Sequence, residues 1–192
     1  MRPTGLLVLS MAKMETSDQR LRRLLEPIHD RALAFARSVC RSRSDGDDLF
    51  QEAILRALRK LDGLREDGAF RGWLYRVIIS VHRNRLRGTF WRRLLPIADE
   101  HTRMLATHDA DLGSAERARV ALATLPAEQR EAIVLHDIEG WRVEEIAELE
   151  GTSISAIKSR LSRGRERLRT VYTRRFGVQP AVSSSLVPGE LP

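Results

Sequence analysis

The sequence predicts an all-α fold of two small helical domains, a three-helix N-terminal domain and a C-terminal helix-turn-helix domain, joined by a flexible linker. Apolar residues recur at helical spacing along most of the 192 residues, and no segment shows the alternation of a strand. Aromatic residues make up only 5% of the chain, which favours helices over sheets. The periodicity stops over residues 88–113, and a gap of that length inside one compact domain is unusual, so it separates two domains.

Residues 1–16 are expected to form a disordered leader. Their apolar run, residues 5–9, is shorter than the apolar core of ~7–15 residues that a secretory signal requires. Met11 and Met14 leave a later translation start open. No stretch of the chain approaches the ~20 apolar residues that span a bilayer, so membrane insertion is not expected.

The first domain, residues 17–87, is predicted to contain three helices, over residues 18–43, 44–61 and 69–87. Pro27 is expected to break the first helix or to start its main part, because proline lacks the amide hydrogen of a helix interior. Ser44 and Asp45 are expected to cap the second helix, whose start is acidic and whose end is basic, in line with the helix dipole.

The third helix of this domain has two distinct faces. Its apolar positions follow the helical template without a miss, and they are Phe70, Trp73, Leu74, Val77, Ile78 and Val81. The opposite side carries a polar and basic stripe of Arg76, Ser80, Arg83 and Arg87. Trp73 lies on the apolar stripe and is expected in the core, whereas Tyr75 lies off it and is left open between core packing and base stacking.

Two features of the chain suggest reactive chemistry without requiring it. His101 and His108 stand among acids in the linker, but a flexible segment offers no fixed frame for a metal, so neither a metal nor another cofactor is expected. Cys40 is the only cysteine, which excludes an intrachain disulfide. A buried structural thiol is the default for Cys40, and a redox sensor is the alternative. No nucleophile–base pair or phosphate loop is found, so the chain is not expected to be an enzyme.

The second domain, residues 114–176, is predicted to hold a helix-turn-helix. A short helix runs from Ser114 to Thr124, and Pro126 starts the next one, which runs to Gly140. Residues 143–169 then form an acidic helix, a tight turn and a strongly basic helix. Gly151 is placed to end the acidic helix in the left-handed conformation, and Ser153 or Ser155 can cap the basic one. Residues 177–192, rich in proline and serine, are expected to form an unstructured tail.

The charge of the chain points to a polyanionic partner. It carries 33 lysines and arginines against 26 acids, a net charge of +7. The second helix of a helix-turn-helix fits the major groove of DNA, and a basic one adds attraction to phosphates. The alternative, a solvated basic helix at the end of an ordinary bundle, would usually mix its charges more evenly. A basic helix lying on a membrane is excluded because the broad apolar face with aromatic residues is missing.

The order of these parts resembles a known family. The segments DGDDLFQEAILRALRKL and FRGWLYRVIISVHRNRLR, then a linker, then LPAEQREAIVLHDIEGWRVEEIA before the helix-turn-helix, are similar to the extracytoplasmic-function (group 4) sigma factors of the sigma-70 family. The resemblance covers about residues 20–172, as the family's regions 2 and 4. It implies an RNA polymerase sigma factor, acting in the cytoplasm, that binds core polymerase and directs promoter-specific transcription initiation.

The resemblance also implies partners and site residues. Core polymerase would be held through its β′ clamp helices and β flap, and an anti-sigma factor is an expected further partner. The residues matching the β′-docking helix are Asp47, Asp48, Leu49, Gln51, Glu52 and Arg56. The alternative for Asp47 and Asp48 is that they only complement the helix dipole.

Promoter DNA would be contacted at two places. The candidates for −10 recognition and melting are Arg76, Ser80, Arg83, Asn84 and Arg85, with the loop of Asp67, Gly68 and Ala69 as the rim of a base pocket. Ser80 stands where the family often has Asn. In the −35 recognition helix the residues expected to face the groove are Lys158, Ser159, Ser162 and Arg163. Those expected on phosphates are Arg160, Arg165 and Arg167. The alternative function is a helix-turn-helix regulator with an N-terminal sensing or interaction domain.

Overall fold

The computed structural model describes residues 15–94 and 113–177, and these residues contain no strand. The helices of the first domain are α1 (Ser17–Leu25), α2 (His29–Val39), α3 (Arg43–Lys60) and α4 (Phe70–Leu94). Those of the second are α5 (Ser114–Ala123), α6 (Ala127–Ile133), α7 (Val143–Glu150) and α8 (Ile154–Phe176). A π-helical turn, Val134–Ile138, prolongs α6. The all-α prediction with two helical regions is confirmed.

The described residues include the last two of the predicted leader. Thr16 is the N-cap of α1, accepts a hydrogen bond from the Gln19 amide and completes a capping box with the Gln19 side chain. Glu15 forms an ion pair with Arg23 at 2.9 Å. The prediction for residues 15–16 is therefore wrong, and residues 1–14 lie outside the described residues.

The predicted break at Pro27 is confirmed, but two boundaries differ. Pro27 lies in a 3-10 turn, Glu26–Ile28, that separates α1 from α2. The second break lies earlier than predicted: α2 ends at Val39, and Ser42, not Ser44 or Asp45, caps α3 by accepting from the Asp45 amide at 3.0 Å. Ser42 has the extended conformation that an N-cap requires, which moves the helix start ahead of the acidic residues.

Helix α4 continues to Leu94, past the predicted start of the linker at residue 88. Glycine inside a helix costs only about 1 kcal/mol, so Gly88 does not end the helix by itself. Pro96, which cannot continue a helix, lies outside the described residues together with the rest of 95–112.

The helix-turn-helix is confirmed in its local details. Gly151 ends α7 with φ of 63°, in the left-handed region, as its position predicted. Ser153 caps α8 by accepting from the Ala156 amide at 3.1 Å. Pro126 was predicted as the first residue of its helix. It is instead the N-cap of α6, which begins one residue later.

The two domains pack on each other around one continuous hydrophobic cluster. Helix α2 contacts α5, α6 and the π-helical turn, and α4 contacts α7. Trp73 packs against the cluster as predicted, while Tyr75 is fully buried between Phe35 and Trp141, with ring centroids 4.8 and 5.3 Å away. No helix of the described residues has the length and apolar character needed to cross a membrane.

Candidate nucleic-acid interface

Helix α8 presents one basic face to solvent. Its other side is fixed because Ile157 and Leu161 are buried, and Gly164 lies so close to α6 that an added Cβ would come within 3.0 Å of Ile133. Lys158, Ser159, Ser162, Arg163 and Arg167 are among the side chains that this packing leaves exposed. All the predicted groove-facing residues are in this set. Their cations and hydroxyls can reach a polyanion without any rearrangement of α8.

Two other predicted phosphate contacts on α8 are already paired within the second domain. Arg160, whose side chain is 16% exposed, binds Glu150 at 2.6 Å and Glu128 at 2.8 Å. Arg165 binds Asp137 of the π-helical turn at 2.5 Å. The pairing neutralises much of their charge, so these two residues support the placement of α8 in the described conformation. That they contact phosphates stays a prediction.

A cavity of about 570 Å³ opens between α8 and the π-helical turn. Lys158, Ser162 and Arg165 line its α8 side. His136 lines the opposite side, and its Nδ1 lies 2.8 Å from the carbonyl oxygen of Trp141. The cavity therefore belongs to the same basic surface as the predicted recognition residues.

Two arginines of the polar stripe of α4 contact the second domain. Arg76 donates to the carbonyl oxygens of Leu149 and Glu148, at 3.2 and 3.4 Å. Arg83 donates to Glu131 at 2.7 Å and to Glu150 at 2.5 Å. Two predicted −10 residues are thus bound by groups of the domain predicted to read the −35 element.

Three other members of the −10 set remain close to solvent. Ser80 and Asn84 are exposed, and Asn84 accepts a hydrogen bond from Arg87. Arg85 forms an ion pair with Glu52 at 2.7 Å. That pair joins a candidate for DNA contact to a candidate for polymerase contact, so a partner at either site would compete with it.

Glu131 and Glu150 are the acids that receive Arg83, and both side chains are fully buried. Glu131 also lies 2.7 Å from Nδ1 of His82, which is itself buried. Burial raises the pKa of Glu150 against the opposing effect of Arg83. Burial acts to lower the pKa of Arg83, but the two glutamates outweigh it and hold that pKa above its usual range. The site is a charged cluster in which the two carboxylates are buried and Arg83 is partly exposed.

A second buried contact joins the domains. Tyr75 donates its hydroxyl to Glu139 at 2.7 Å, and Arg31 lies 3.4 Å from the same carboxylate. Burial first, and then the bond to Glu139, raise the pKa of the Tyr75 hydroxyl. Sequence reasoning left Tyr75 open and missed Glu139. The sequence did contain a signal for such a contact: Tyr75 lies beside the apolar stripe of α4, and a tyrosine hydroxyl requires a hydrogen-bond partner when it is buried.

The predicted docking helix, α3, is divided between exposed and engaged residues. Asp48, Gln51 and Glu52 are exposed and Arg56 is partly buried, whereas Leu49 is fully buried and faces the core. Asp47 is paired with Arg37 at 2.6 Å. The described conformation therefore leaves only part of the predicted set able to meet a partner.

Leu55 was missed as a candidate and is 56% exposed. It follows Asp48 by seven residues and Gln51 by four, which places the three side chains on one helical face. The helical spacing alone was enough to find it. An exposed leucine between polar groups provides an apolar centre for a protein contact.

The predicted base-pocket rim is a 3-10 turn, Asp67–Ala69, in front of α4. Asp67 pairs with Arg20 at 2.7 Å and with Arg23 at 2.8 Å. The hydrogen bonds from Arg23 and Arg20 lower the pKa of this carboxyl. Among the described residues no group of His, Cys, Asp and Glu is arranged to hold a metal, and His101 and His108 lie outside those residues.

Two family models match the chain in the predicted order. Residues 24–92 match sigma-70 region 2, and residues 115–168 match sigma-70 region 4. The first match covers α2 to α4 and the second covers α5 to most of α8.

Full-length relatives and solved structures agree with these matches. The chain is 33% identical over 151 residues to the ECF RNA polymerase sigma factor SigM of Mycobacterium tuberculosis, covering 79% of this chain and 74% of the relative. It is 31% identical over 175 residues to SigE of Mycolicibacterium smegmatis, covering 87% and 67%. The sigma factor RpoE of Bartonella quintana, solved with the anti-sigma factor NepR, has a TM-score of 0.61 at 29% identity, covering 80% of this chain and 97% of that one. CnrH, solved with the cytosolic domain of CnrY, has a TM-score of 0.55 at 27% identity, covering 81% and 94%.

Proposed function

Because the chain belongs to the extracytoplasmic-function sigma factors of the sigma-70 family, we propose that it binds core RNA polymerase and directs it to particular promoters. The polymerase carries out the chemistry, and this chain supplies promoter recognition and strand opening without catalysing a reaction itself. It would work in the cytoplasm, where polymerase and the chromosome are found. The units that do this work are residues 17–87 and 114–176.

The exposed basic face of α8 is the observation that carries the proposal. Lys158, in the second turn of α8, and Arg163, nearer its middle, are long cationic donors, and both are exposed. Such donors bind guanine edges in the major groove, and Arg167 is placed one turn further along for a phosphate. Helix α8 would therefore read the −35 element. Arg160 and Arg165 would support it from within the domain or join phosphates after leaving their acids.

Helix α4 would engage the −10 element. Arg83 and Arg76 provide the charge for backbone phosphates, and Ser80 between them offers one hydroxyl to a base edge. The 3-10 turn at Asp67 supports one side of this surface. The two arginines reach DNA only after leaving the second domain.

Core polymerase would dock on the exposed face of α3. Asp48, Gln51 and Glu52 supply polar and acidic groups, and Leu55 supplies the apolar centre. This combination suits a basic coiled-coil edge such as the β′ clamp helices. The second domain would meet the β flap. Leu49, being buried, would act by holding α3 in place.

An anti-sigma factor is a further proposed partner. RpoE was solved with NepR and CnrH with the cytosolic domain of CnrY, and both resemble this chain over most of its length. The likeness supports a protein inhibitor that binds the free sigma factor before polymerase does.

Run-off transcription tests the proposal against a helix-turn-helix regulator with a sensing domain, which the comparisons do not favour. Purified core polymerase would be mixed with the chain and fragmented genomic DNA from the same organism, and the transcripts mapped by sequencing. The proposal expects discrete start sites that require both core and this chain. A regulator would give no start sites with core alone and would bind DNA without polymerase. An Arg163→Ala, Arg167→Ala variant is the control for transcripts that arise from contaminating sigma factors.

A further inference from the structure

The predicted base-pocket rim, residues 67–69, is tied to helix α1. Both oxygens of the Asp67 carboxylate are bound by arginines of α1: Oδ1 accepts from Arg20 at 2.7 and 2.9 Å, and Oδ2 accepts from Arg23 at 2.8 Å. Nη2 of Arg20 also donates to the carbonyl oxygen of Leu64 at 3.0 Å. One guanidinium group therefore holds the segment that leads into α4 at two points.

The ion pairs at the rim share their partners. Arg23 also donates to Glu15, from Nε and from Nη2, at 2.9 Å each. Its hydrogen bond lowers the pKa of Glu15, and in return Glu15 and Asp67 hold the pKa of Arg23 above its usual range. A single ion pair between exposed groups contributes little, whereas bidentate contacts within a network impose a defined geometry. We therefore expect this network to fix the position of Asp67.

Helix α1 is itself well anchored. The capping box at Thr16 closes its first turn, and Leu21 is buried in the hydrophobic cluster. The helix contacts α3 and the 3-10 turn Leu61–Gly63. Ser17 donates from its hydroxyl to Asp62 of that turn at 3.0 Å. The segment from residue 61 to residue 67 is thus held by α1 at its start as well as at its end.

The tip of this segment faces solvent. Arg65, Glu66, Gly68 and Ala69 are exposed, and a Cβ added at Gly68 would meet nothing within 4 Å. Phe70, the first residue of α4, is buried and holds the other side of the tip. An exposed tip on a fixed base can receive a ligand without first being ordered, which reduces the entropic cost of binding.

We propose that α1 positions the base-pocket rim: Arg20 and Arg23, the rim arginines, hold Asp67 where residues 67–69 receive an unpaired base of the −10 element. The inference rests on the proposed role of this rim in binding the promoter. The rim arginines are positioning residues, because their donors serve protein oxygens and not DNA. Their loss weakens the capture of one base and leaves the contacts made by α3 and α8 unchanged.

Two variants with opposite changes of charge separate positioning from attraction to DNA. Arg20→Ala removes a cation and Asp67→Ala removes an anion, yet both break the same contact. A positioning role predicts that both variants bind promoter DNA more weakly. Attraction to phosphates predicts that the first binds more weakly and the second more tightly. Arg22→Ala is the matched control, because its side chain is 80% exposed and its ion pair with Asp18 lies within α1.

Binding of the holoenzyme to fork-junction DNA measures base capture. The DNA carries a promoter mapped by run-off transcription, with one −10 strand unpaired, and further forks each lack one −10 base. We expect Arg20→Ala and Asp67→Ala each to bind the intact fork at least about fivefold more weakly than the Arg22→Ala control, the scale of one lost base contact. On the fork that lacks the captured base, both variants should bind as tightly as the control. Affinities equal to the control on the intact fork, or the same loss on every fork, would overturn the inference.

Arg23→Ala tests the same point if circular dichroism shows that Arg20→Ala does not fold. The Arg23 side chain is 52% exposed, and its removal frees Oδ2 of Asp67. Its loss of affinity should again disappear on the fork that lacks the captured base, and a loss that is absent or equal on every fork would overturn the inference.

Run-off transcription by the unchanged chain keeps the two proposals apart. Discrete start sites, together with variants that lose affinity equally on every fork, would leave a sigma factor whose α1 does not position the rim. A chain that never initiates with core polymerase would overturn the proposed function and, with it, the role of the rim.

Discussion

Gly46 lies against the backbone of Arg37 so closely that a Cβ added at position 46 would come within 2.4 Å of the Arg37 Cα. The same junction between α2 and α3 is crossed by the ion pair from Arg37 to Asp47 at 2.6 Å. Glycine weakens a helix, so its presence in the first turns of α3 requires a compensating gain. The gain here is the close approach of the two helices, which brings Leu49 and Phe35 into one core.

Gly46→Ala is expected to destabilise the protein by about 2–3 kcal/mol or more, because the added methyl meets backbone atoms that cannot rotate away. Urea unfolding followed by circular dichroism measures the change. Gly63→Ala is the control, since a Cβ there meets nothing within 4 Å. Equal unfolding midpoints for the two variants would show that the helices separate at little cost.

Local features of this fold were predictable and distant pairings were not. Pro27 and Gly151 act through their own backbone preferences, so their positions alone indicated a helix break and a helix end. The residue that binds Tyr75 lies 64 positions away, and the pair from His82 to Glu131 spans 49. Helical periodicity reports only which side of a helix is buried. It does not report which other helix covers that side.

In the candidate site, too, exposure along a helix was predictable and ion pairs between helices were not. The exposed face of α8 was predictable because Ile157 and Leu161 mark the buried side. Arg160 was misleading because its partners, Glu150 and Glu128, come from two other helices. A cation on a basic helix is expected on the surface until a buried acid from elsewhere in the chain is known.

Arg163→Ala and Lys158→Ala are each expected to cost about 1–3 kcal/mol at cognate promoters if the side chains read base edges. Arg167→Ala is expected to weaken binding to all DNA by a similar factor and to reduce its salt dependence, because a phosphate contact carries no sequence information. Holoenzyme binding to matched and scrambled −35 duplexes over a salt series measures both effects. An equal loss on both duplexes for all three variants would exclude base reading by α8.

Asp48→Lys is expected to weaken binding to core polymerase, because it reverses a charge on the exposed face of α3. Asp48 is the better choice than Asp47, whose charge is engaged by Arg37. Leu55→Ser is expected to weaken binding further by removing the apolar centre. Titration of labelled core at low and moderate salt measures both variants, with Asp30→Lys on α2, whose side chain is fully exposed, as the charge control. If Asp48→Lys binds core polymerase as tightly as the Asp30→Lys control, Asp48 only complements the dipole of α3.

Cys40 is buried, and burial raises the pKa of its thiol to about 12. A raised pKa leaves less thiolate at pH 8, and the thiolate is the reactive form. We expect a thiol reagent to modify the native protein at pH 8 at least about a hundredfold more slowly than the chain in guanidinium, because the native thiol is both buried and less ionised. The rate in the native protein should rise with pH. Fast modification of the native protein at pH 8 would instead favour the redox-sensor alternative.

Ser80 is exposed on α4 between Arg76 and Arg83, so its hydroxyl is available to DNA once the arginines are released. A hydroxyl donates or accepts one hydrogen bond with several base edges, whereas an amide pairs bidentately with adenine. We expect the protein with Ser80 to accept several bases at one −10 position. Ser80→Asn should increase the difference in binding free energy between the preferred base and the others there by about 1–3 kcal/mol. A randomised −10 library transcribed by holoenzymes of both proteins measures the preference, with Asn84→Ser, which makes the reverse exchange one helical turn away, as the matched variant. A base profile left unchanged by Ser80→Asn would place residue 80 on a solvated side of α4 that never meets the promoter.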